Sequence, residues 1–597
     1  MFTLVLLAAI LKPASRDNVA ALLNVPFNLT HHFGYDGPWQ TIPVLVSDPP
    51  QLVNLYPGGT YATCIPSINV RNIYGNYSSD DFPPDAGIFN LALADPTASS
   101  SSQNFYIAGP NEGGTIGSID GGLNGMRAAG LAGEGLIITD SLSLGDGIHP
   151  VRDVSISAVY NATYTLPNGV HYPLDVGFLS LGASNNQFLG PFTANMVPLN
   201  LSAEGFIPSN TWGLHIGSVY PYVPASLVLG GYDQNRVIGN VSMWTAQNQP
   251  SDMIIGLLDV SIGVANGGSP FPFTLKSGLL VDAGKTTSRL NVRPNPTVPY
   301  LYLPEDTCRA IASYLPVTYM ESLDLYSWDT TAPNYRKIVS SPSYLAFTFQ
   351  TAGTPGNMTI NVPFSLLNLT LTPPLVKTPT LYFPCKSYTP PGPNSEPYNE
   401  FHLGRAFLQA AFIGMNWYED VWWMAQAPGP KYLAPFTISL DNSTTHIQSS
   451  EASISWFESW SDILVPLPGN GENQTANSTN LDNLDQENNE SGLSSGAKAG
   501  IGVGTAGGAL IVLVVVFFIT QHSRKHKVLA IDQKYVPGAI TPQEERDHTH
   551  FHSQLSRNVS QRQELDSTSR FSEVKSLTTA SILQPPILEL PVENERR

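Results

Sequence analysis

From residue 16 to about 465 the chain alternates short apolar runs with clusters of Gly, Pro, Asn and Asp. Examples are Thr41–Val46, Ser226–Leu229 ahead of Gly230-Gly231, Met253–Val260 and Tyr344–Phe349. Runs of this length bounded by turn formers predict many short strands. A helix is predicted over Glu305–Leu315, where Pro304 precedes the acidic pair Glu305 and Asp306. Two apolar stretches break the pattern. Phe2–Leu11, followed by the small residues Ala14 and Ser15, reads as a signal peptide over residues 1–15. Ala499–Thr520 is 22 residues long without a charge, enough to cross the hydrocarbon of a bilayer as a helix. Arg524, Lys525 and Lys527 follow it, so the positive-inside rule places the tail in the cytoplasm and everything before residue 499 outside. Residues 466–498 carry almost no apolar side chains and predict a disordered Asn-rich stalk; 521–597 are polar and predict a disordered cytoplasmic tail.

Composition supports this division. The 597 residues include 29 Lys+Arg and 47 Asp+Glu, a net charge of −18, which excludes a generally basic nucleic-acid binder. Charged residues make up only 13% of the chain, while Gly and Pro number 50 each, as expected of strands and loops rather than salt-bridged helices. Of the basic residues 18 precede residue 499 and 11 follow residue 520. Asn-X-Ser/Thr acceptors occur at Asn28, Asn76, Asn161, Asn200, Asn240, Asn357, Asn368, Asn442, Asn473, Asn477 and Asn489, all on the side predicted to be exterior. Asn558 also sits in such a motif, but on the cytoplasmic side, and is expected to be unmodified. Three cysteines, Cys64, Cys308 and Cys385, leave the core to carry the stability, with Cys64 read as a small buried apolar group. No metal-spaced His/Cys cluster, P-loop or Gly-x-Ser-x-Gly is present, so no cofactor or metal is predicted, and His31-His32 reads as an exposed pair. Gly500, Gly504 and Gly508 form a small-residue face on the spanning helix that could pair two copies of the chain.

Five segments, in order, resemble the pepsin-like aspartic peptidase family, particularly its fungal membrane-anchored members. Gly34-Tyr-Asp-Gly-Pro-Trp39 and Val46-Ser-Asp-Pro-Pro-Gln51 are similar to the family's first strand and its Gly-Thr-Pro-Pro-Gln turn. Gly177-Phe-Leu-Ser-Leu181 resembles its Gly-Ile-Leu-Gly-Leu segment. Ser226-Leu-Val-Leu-Gly-Gly-Tyr-Asp233 resembles the strand and turn that close its N-terminal lobe, and His402–Gly414 its Leu-Gly-Asp-x-Phe-Leu-Arg segment. The resemblance implies an all-β, bilobal fold with a substrate cleft, with lobes over 16–245 and 246–465. It also implies a disulfide between Cys308, on the helix after the second catalytic position, and Cys385 on a later strand.

The family's chemistry needs two aspartates across one water, one ionised as base and one protonated to polarise the scissile carbonyl. In the first lobe the expected position falls on Pro57 or Gly58, and Asp48 lies too early, as a turn-capping residue. In the second lobe Val281-Asp282-Ala-Gly284 looks locally like Val-Asp-Thr-Gly, but Asn295-Pro296-Thr297 heads the strand, proline and helix that the family places there. That register puts Asn295 at the catalytic position and leaves Asp282 in a surface hairpin. An amide neither ionises nor acts as base. The expectation is therefore a single-pass type I membrane glycoprotein of the cell surface or the secretory and vacuolar pathway. It would bind an extended peptide or a cell-wall ligand without cutting it. The alternatives are an active endopeptidase, requiring Asp282 and an unrecognised first-lobe acid, and a surface sensor signalling through its Ser/Thr-rich tail.

Overall fold

The computed structural model describes residues 20–58, 63–68, 86–90, 103–107, 128–145, 148–189, 192–246, 253–351, 356–390, 400–431, 433–452 and 454–469. Strands dominate, and the fold is all-β in class. Three sheets organise it. A nine-stranded sheet is built from residues 42–173 together with Gly177–Leu179, and an eight-stranded sheet from strands between Ile255 and Leu403. A six-stranded sheet joins both parts of the chain, in the order Leu23–Val25, Ser226–Leu229, Thr211–His215, Ala411–Asn416, Val421–Gln426, Ile238–Thr245. The division expected at residue 245/246 therefore runs through a shared sheet: Ile238–Thr245 pairs with Val421–Gln426, and the Trp244 and Trp422 rings stack at 4.6 Å.

The two large sheets repeat one local arrangement. Gln51–Pro57 is antiparallel to Ile42–Val46 on one side and parallel to Gly177–Leu179 on the other, and Gly177–Leu179 also meets Thr63–Ile68 antiparallel. Leu290–Pro294 is antiparallel to Ile255–Val264 and parallel to Phe401–Leu403, which also meets Leu301–Leu303 antiparallel. Gly177 cannot be replaced without backbone movement, because a Cβ there would lie 1.9 Å from the Cys64 carbonyl oxygen.

The expected helix runs over Glu305–Ala312, with Tyr314 and Leu315 continuing in i→i−3 turns. Its Cys308 is disulfide-bonded to Cys385 of the strand Cys385–Ser387, with the Cα atoms 5.6 Å apart. Cys64 is a free thiol, buried in the core, and burial pushes it up to about 12. Among the described residues no helix is long and apolar enough to cross a membrane. The signal peptide at 1–15, the spanning helix at 499–520 with Gly500, Gly504 and Gly508, the tail at 521–597 and all but the first residues of the stalk lie outside the described residues, as do Asn76, Asn473, Asn477 and Asn489.

Candidate functional site

The repeated arrangement fixes which residues are equivalent in the two sheets. Leu179 lies opposite Pro57, and Leu403 opposite Pro294. One residue further, the Gly58 N–H donates to the Leu179 carbonyl at 3.1 Å and the Asn295 N–H donates to the Leu403 carbonyl at 2.9 Å. Gly58 and Asn295 are thus the matched pair, and Pro57 precedes it. Neither carries an ionisable group. The two turns abut: a Cβ on Gly58, whose φ is +127°, would lie 2.2 Å from the Pro296 ring. Asn295 is buried, and its side-chain oxygen accepts from both the N–H and the hydroxyl of Thr297, at 3.0 and 2.6 Å. This is an Asx-type turn, in which the amide orders the backbone.

Behind these turns lies a buried charge cluster that the motif reading did not identify. Arg405 opens the short helix Arg405–Leu408; its Nη1 donates to the carbonyls of Pro296 and Thr297, at 3.2 and 3.1 Å. The guanidinium lies 4.1 Å from the Tyr56 ring centroid and 5.0 Å from that of Trp39, in cation–π range. Its Nη2 is 3.7 Å from Asp36 Oδ2, while Asp36 Oδ1 accepts from Trp39 Nε1 at 2.7 Å. Asp36 belongs to the loop 33–39, closed by reciprocal backbone bonds between Phe33 and Trp39 at 2.8 and 3.1 Å. That loop reaches across the molecule: the Thr372 N–H donates to the Tyr35 carbonyl at 2.9 Å, and the Tyr382 hydroxyl donates to the Asp36 carbonyl.

A second carboxyl, Asp175, is also buried, and its Oδ2 has no hydrogen-bond partner. Burial first, then the Asp36 charge, pushes Asp175 up to about 7, against the pull of neighbouring N–H groups and of Arg405. Burial likewise holds the phenols of Tyr56, Tyr164 and Tyr172 well above their ordinary value. Trp39, Pro57, Ser218, Pro296 and Arg405 enclose a void of ≈10 Å³, room for about one water. The space beside the matched turns is therefore packed around Arg405 and its ion pair with Asp36, rather than holding two acids across an open water site.

The other expected residues lie elsewhere. Asp282 is exposed on the hairpin of Val281–Asp282 and Lys285–Thr286, whose turn residues Ala283 and Gly284 have φ of 48° and 74°. It borders a surface cavity of ≈530 Å³ with Arg289, Asp306 and Phe401. Asp48 is exposed in the turn before Gln51. His31 is exposed, but His32 is half-buried with its Nε2 fully covered, so the pair is not uniformly on the surface. Among the described residues no group of His, Cys, Asp and Glu is placed to hold a metal. Of the glycosylation acceptors, Asn240 and Asn357 are exposed, whereas Asn28, Asn200, Asn368 and Asn442 are half-buried, and the Asn161 side chain is outside those described. The Asn28 amide donates to Asn54 Oδ1 at 3.0 Å. No protein-family model matches the chain, and no curated protein matches it.

Proposed function

We propose that residues 16–465 form a two-lobed, pepsin-like aspartic peptidase fold that has lost its catalytic pair and binds an extended peptide or cell-wall ligand without cleaving it. The carrying observation is the equivalence of Gly58 and Asn295. They occupy matched ends of matched strands, and neither can take a proton from water. The repeated strand arrangement in the two large sheets and the Cys308–Cys385 bridge support the family reading. The filled space around Arg405 supports loss of chemistry rather than its relocation. Binding does not require the lost groups, since strand-like backbone pairing and side-chain pockets supply affinity.

In the same reading the chain is a single-pass type I membrane glycoprotein. Residues 499–520 anchor it, 466–498 hold the fold away from the bilayer, and the exposed Asn240 and Asn357 carry glycan. The test uses the purified protein on a broad peptide library from acid to neutral pH. No pepstatin-sensitive cleavage is expected, and none is expected to appear in Asn295→Asp. Pepstatin-sensitive cleavage that disappears in Asp282→Ala overturns the proposal in favour of an active endopeptidase.

A further inference from the structure

The cavity beside the hairpin of Val281–Asp282 and Lys285–Thr286 shares no lining residue with the void next to the matched turns. Its ≈530 Å³ falls within the range of small-ligand sites, about 300–1,000 Å³. Two kinds of group line it. Asp282, Arg289, Asn291 and Thr389 supply a carboxylate, a guanidinium, an amide and a hydroxyl; all four are exposed, and none of these side chains is bonded to another described residue. Glu305 and Asp306 also line the cavity, but Arg309 already pairs with both. Tyr388 and Phe401 form an aromatic wall, half-buried, with their rings edge to face at 6.1 Å. That wall is rigid: Tyr388 also packs edge to face with Tyr302 at 6.1 Å and lies 5.7 Å from the His402 ring, while Phe401 sits in a strand paired with Leu290–Pro294.

Arg289 is held in place by a glycine. Its Nε lies 2.8 Å from where a Cβ on Gly256 would stand, so the guanidinium rests on bare backbone of the strand Ile255–Val264. Asp282 lines the same cavity without forming an ion pair with it, which leaves an acceptor and a donor both open to a ligand.

We propose that this cavity binds a short neutral oligosaccharide, with the Tyr388–Phe401 wall against the C–H face of a sugar ring and the four polar side chains on its hydroxyls. A hydroxyl both donates and accepts, so one ligand chemistry satisfies the acceptor-only Asp282, the donor-only Arg289, and the Asn291 and Thr389 groups that do both. A ligand of single charge would satisfy one of the two opposite charges and repel the other. A zwitterion would meet them at exposed positions, where an ion pair contributes about 0–1 kcal/mol. An extended peptide draws its affinity from an open strand edge. Here Leu290–Pro294 is paired on both sides, and the Thr307 hydroxyl already engages the N–H and carbonyl of Val281 at 2.9 and 2.6 Å. The site does not depend on whether the fold cleaves peptides.

The experiment is isothermal titration calorimetry of the full chain, in a detergent without a sugar headgroup, with laminarihexaose, chitohexaose, mannohexaose and a neutral hexapeptide. The three saccharides separate a β-glucan, a chitin and a mannan source. At least one is expected to bind, and Asp282→Ala and Arg289→Ala should each weaken it about tenfold or more, as for loss of a hydrogen bond to a charged group. Gly256→Ala leaves every lining residue in place but displaces the Arg289 guanidinium, and should weaken binding in the same direction. No binding of any of the three at millimolar concentration overturns the proposal, as does binding that is unchanged in Asp282→Ala and Arg289→Ala. Hexapeptide binding that falls in those two variants, with no saccharide binding, overturns it in favour of a peptide site. Should Gly256→Ala fail to fold, the two exposed substitutions decide.

Discussion

Truncating Arg405 to Met keeps most of the aliphatic stem and removes the guanidinium. Three costs follow. The carbonyls of Pro296 and Thr297 lose their donor inside the fold, Asp36 loses its cation, and the Tyr56 and Trp39 faces lose a stacked charge. Breaking a buried ion pair by removing one partner costs about 3–5 kcal/mol, much of it the penalty of the charge left behind. The ion pair here is 3.7 Å long and Asp36 keeps its bond from Trp39 Nε1, so the low end applies to that contribution. Adding the orphaned carbonyls gives a total of about 4 kcal/mol. Asp36→Asn in the same chain removes the stranded charge, so Arg405→Met should cost only about 2 kcal/mol in that background, a coupling of about 2 kcal/mol. Urea unfolding at pH 5, where Asp175 is protonated, measures all four proteins of the cycle without interference from the second carboxyl. A loss below about 1 kcal/mol for Arg405→Met, or single-variant costs that simply add, would refute the reasoning and reduce the cluster to packing.

Further predictions concern the turn and the disulfide. Gly58→Ala places a methyl group against the Pro296 ring at a backbone φ that side chains rarely adopt, and a loss of about 2–4 kcal/mol in urea unfolding is expected; a neutral result would mean the two turns do not abut. The same obstruction applies to Gly58→Asp, so the Gly58→Asp, Asn295→Asp double variant should fold poorly before any question of activity arises. Reducing Cys308–Cys385, which spans 77 residues of sequence, should cost about 2–5 kcal/mol, read as a lowered thermal midpoint in the presence of reductant. An unchanged midpoint would show that the helix Glu305–Ala312 is held by packing alone.

Local pattern carried much of the fold. The apolar run Thr41–Val46 contains the strand Ile42–Val46, of which every second residue is buried, and Pro304 with Glu305 and Asp306 marked the helix start. Asn295 was legible because the run Asn295–Pro304 leads into that helix. Choosing between Pro57 and Gly58 was not possible from sequence: the run Leu52–Pro57 is apolar at every position but Asn54, so its pattern does not fix the register, which is set by a bond to Leu179, more than a hundred residues away. The charge cluster was hidden for a related reason. Asp36 and Arg405 lie on distant segments, and each sits within a stretch that resembles a family motif. One signal was present: Arg405 interrupts the apolar stretch around His402–Gly414 in a chain with few charges, and a lone cation in such a stretch is buried only with a partner.

The six-stranded sheet also sets a timetable for biosynthesis. Thr211–His215 needs Ala411–Asn416 as its neighbour, and Ile238–Thr245 needs Val421–Gln426. At roughly 5–20 residues per second, the 426 − 245 = 181 residues separating the ends of that last pair take on the order of 10–40 s to emerge. Throughout that interval the nascent chain presents two open strand edges with a buried-type face that includes Trp212 and Trp244, an invitation to mispairing. The acceptor at Asn240 lies within the second of these waiting strands and is exposed in the finished fold, so a glycan added there during synthesis would shield that edge until its partner arrives.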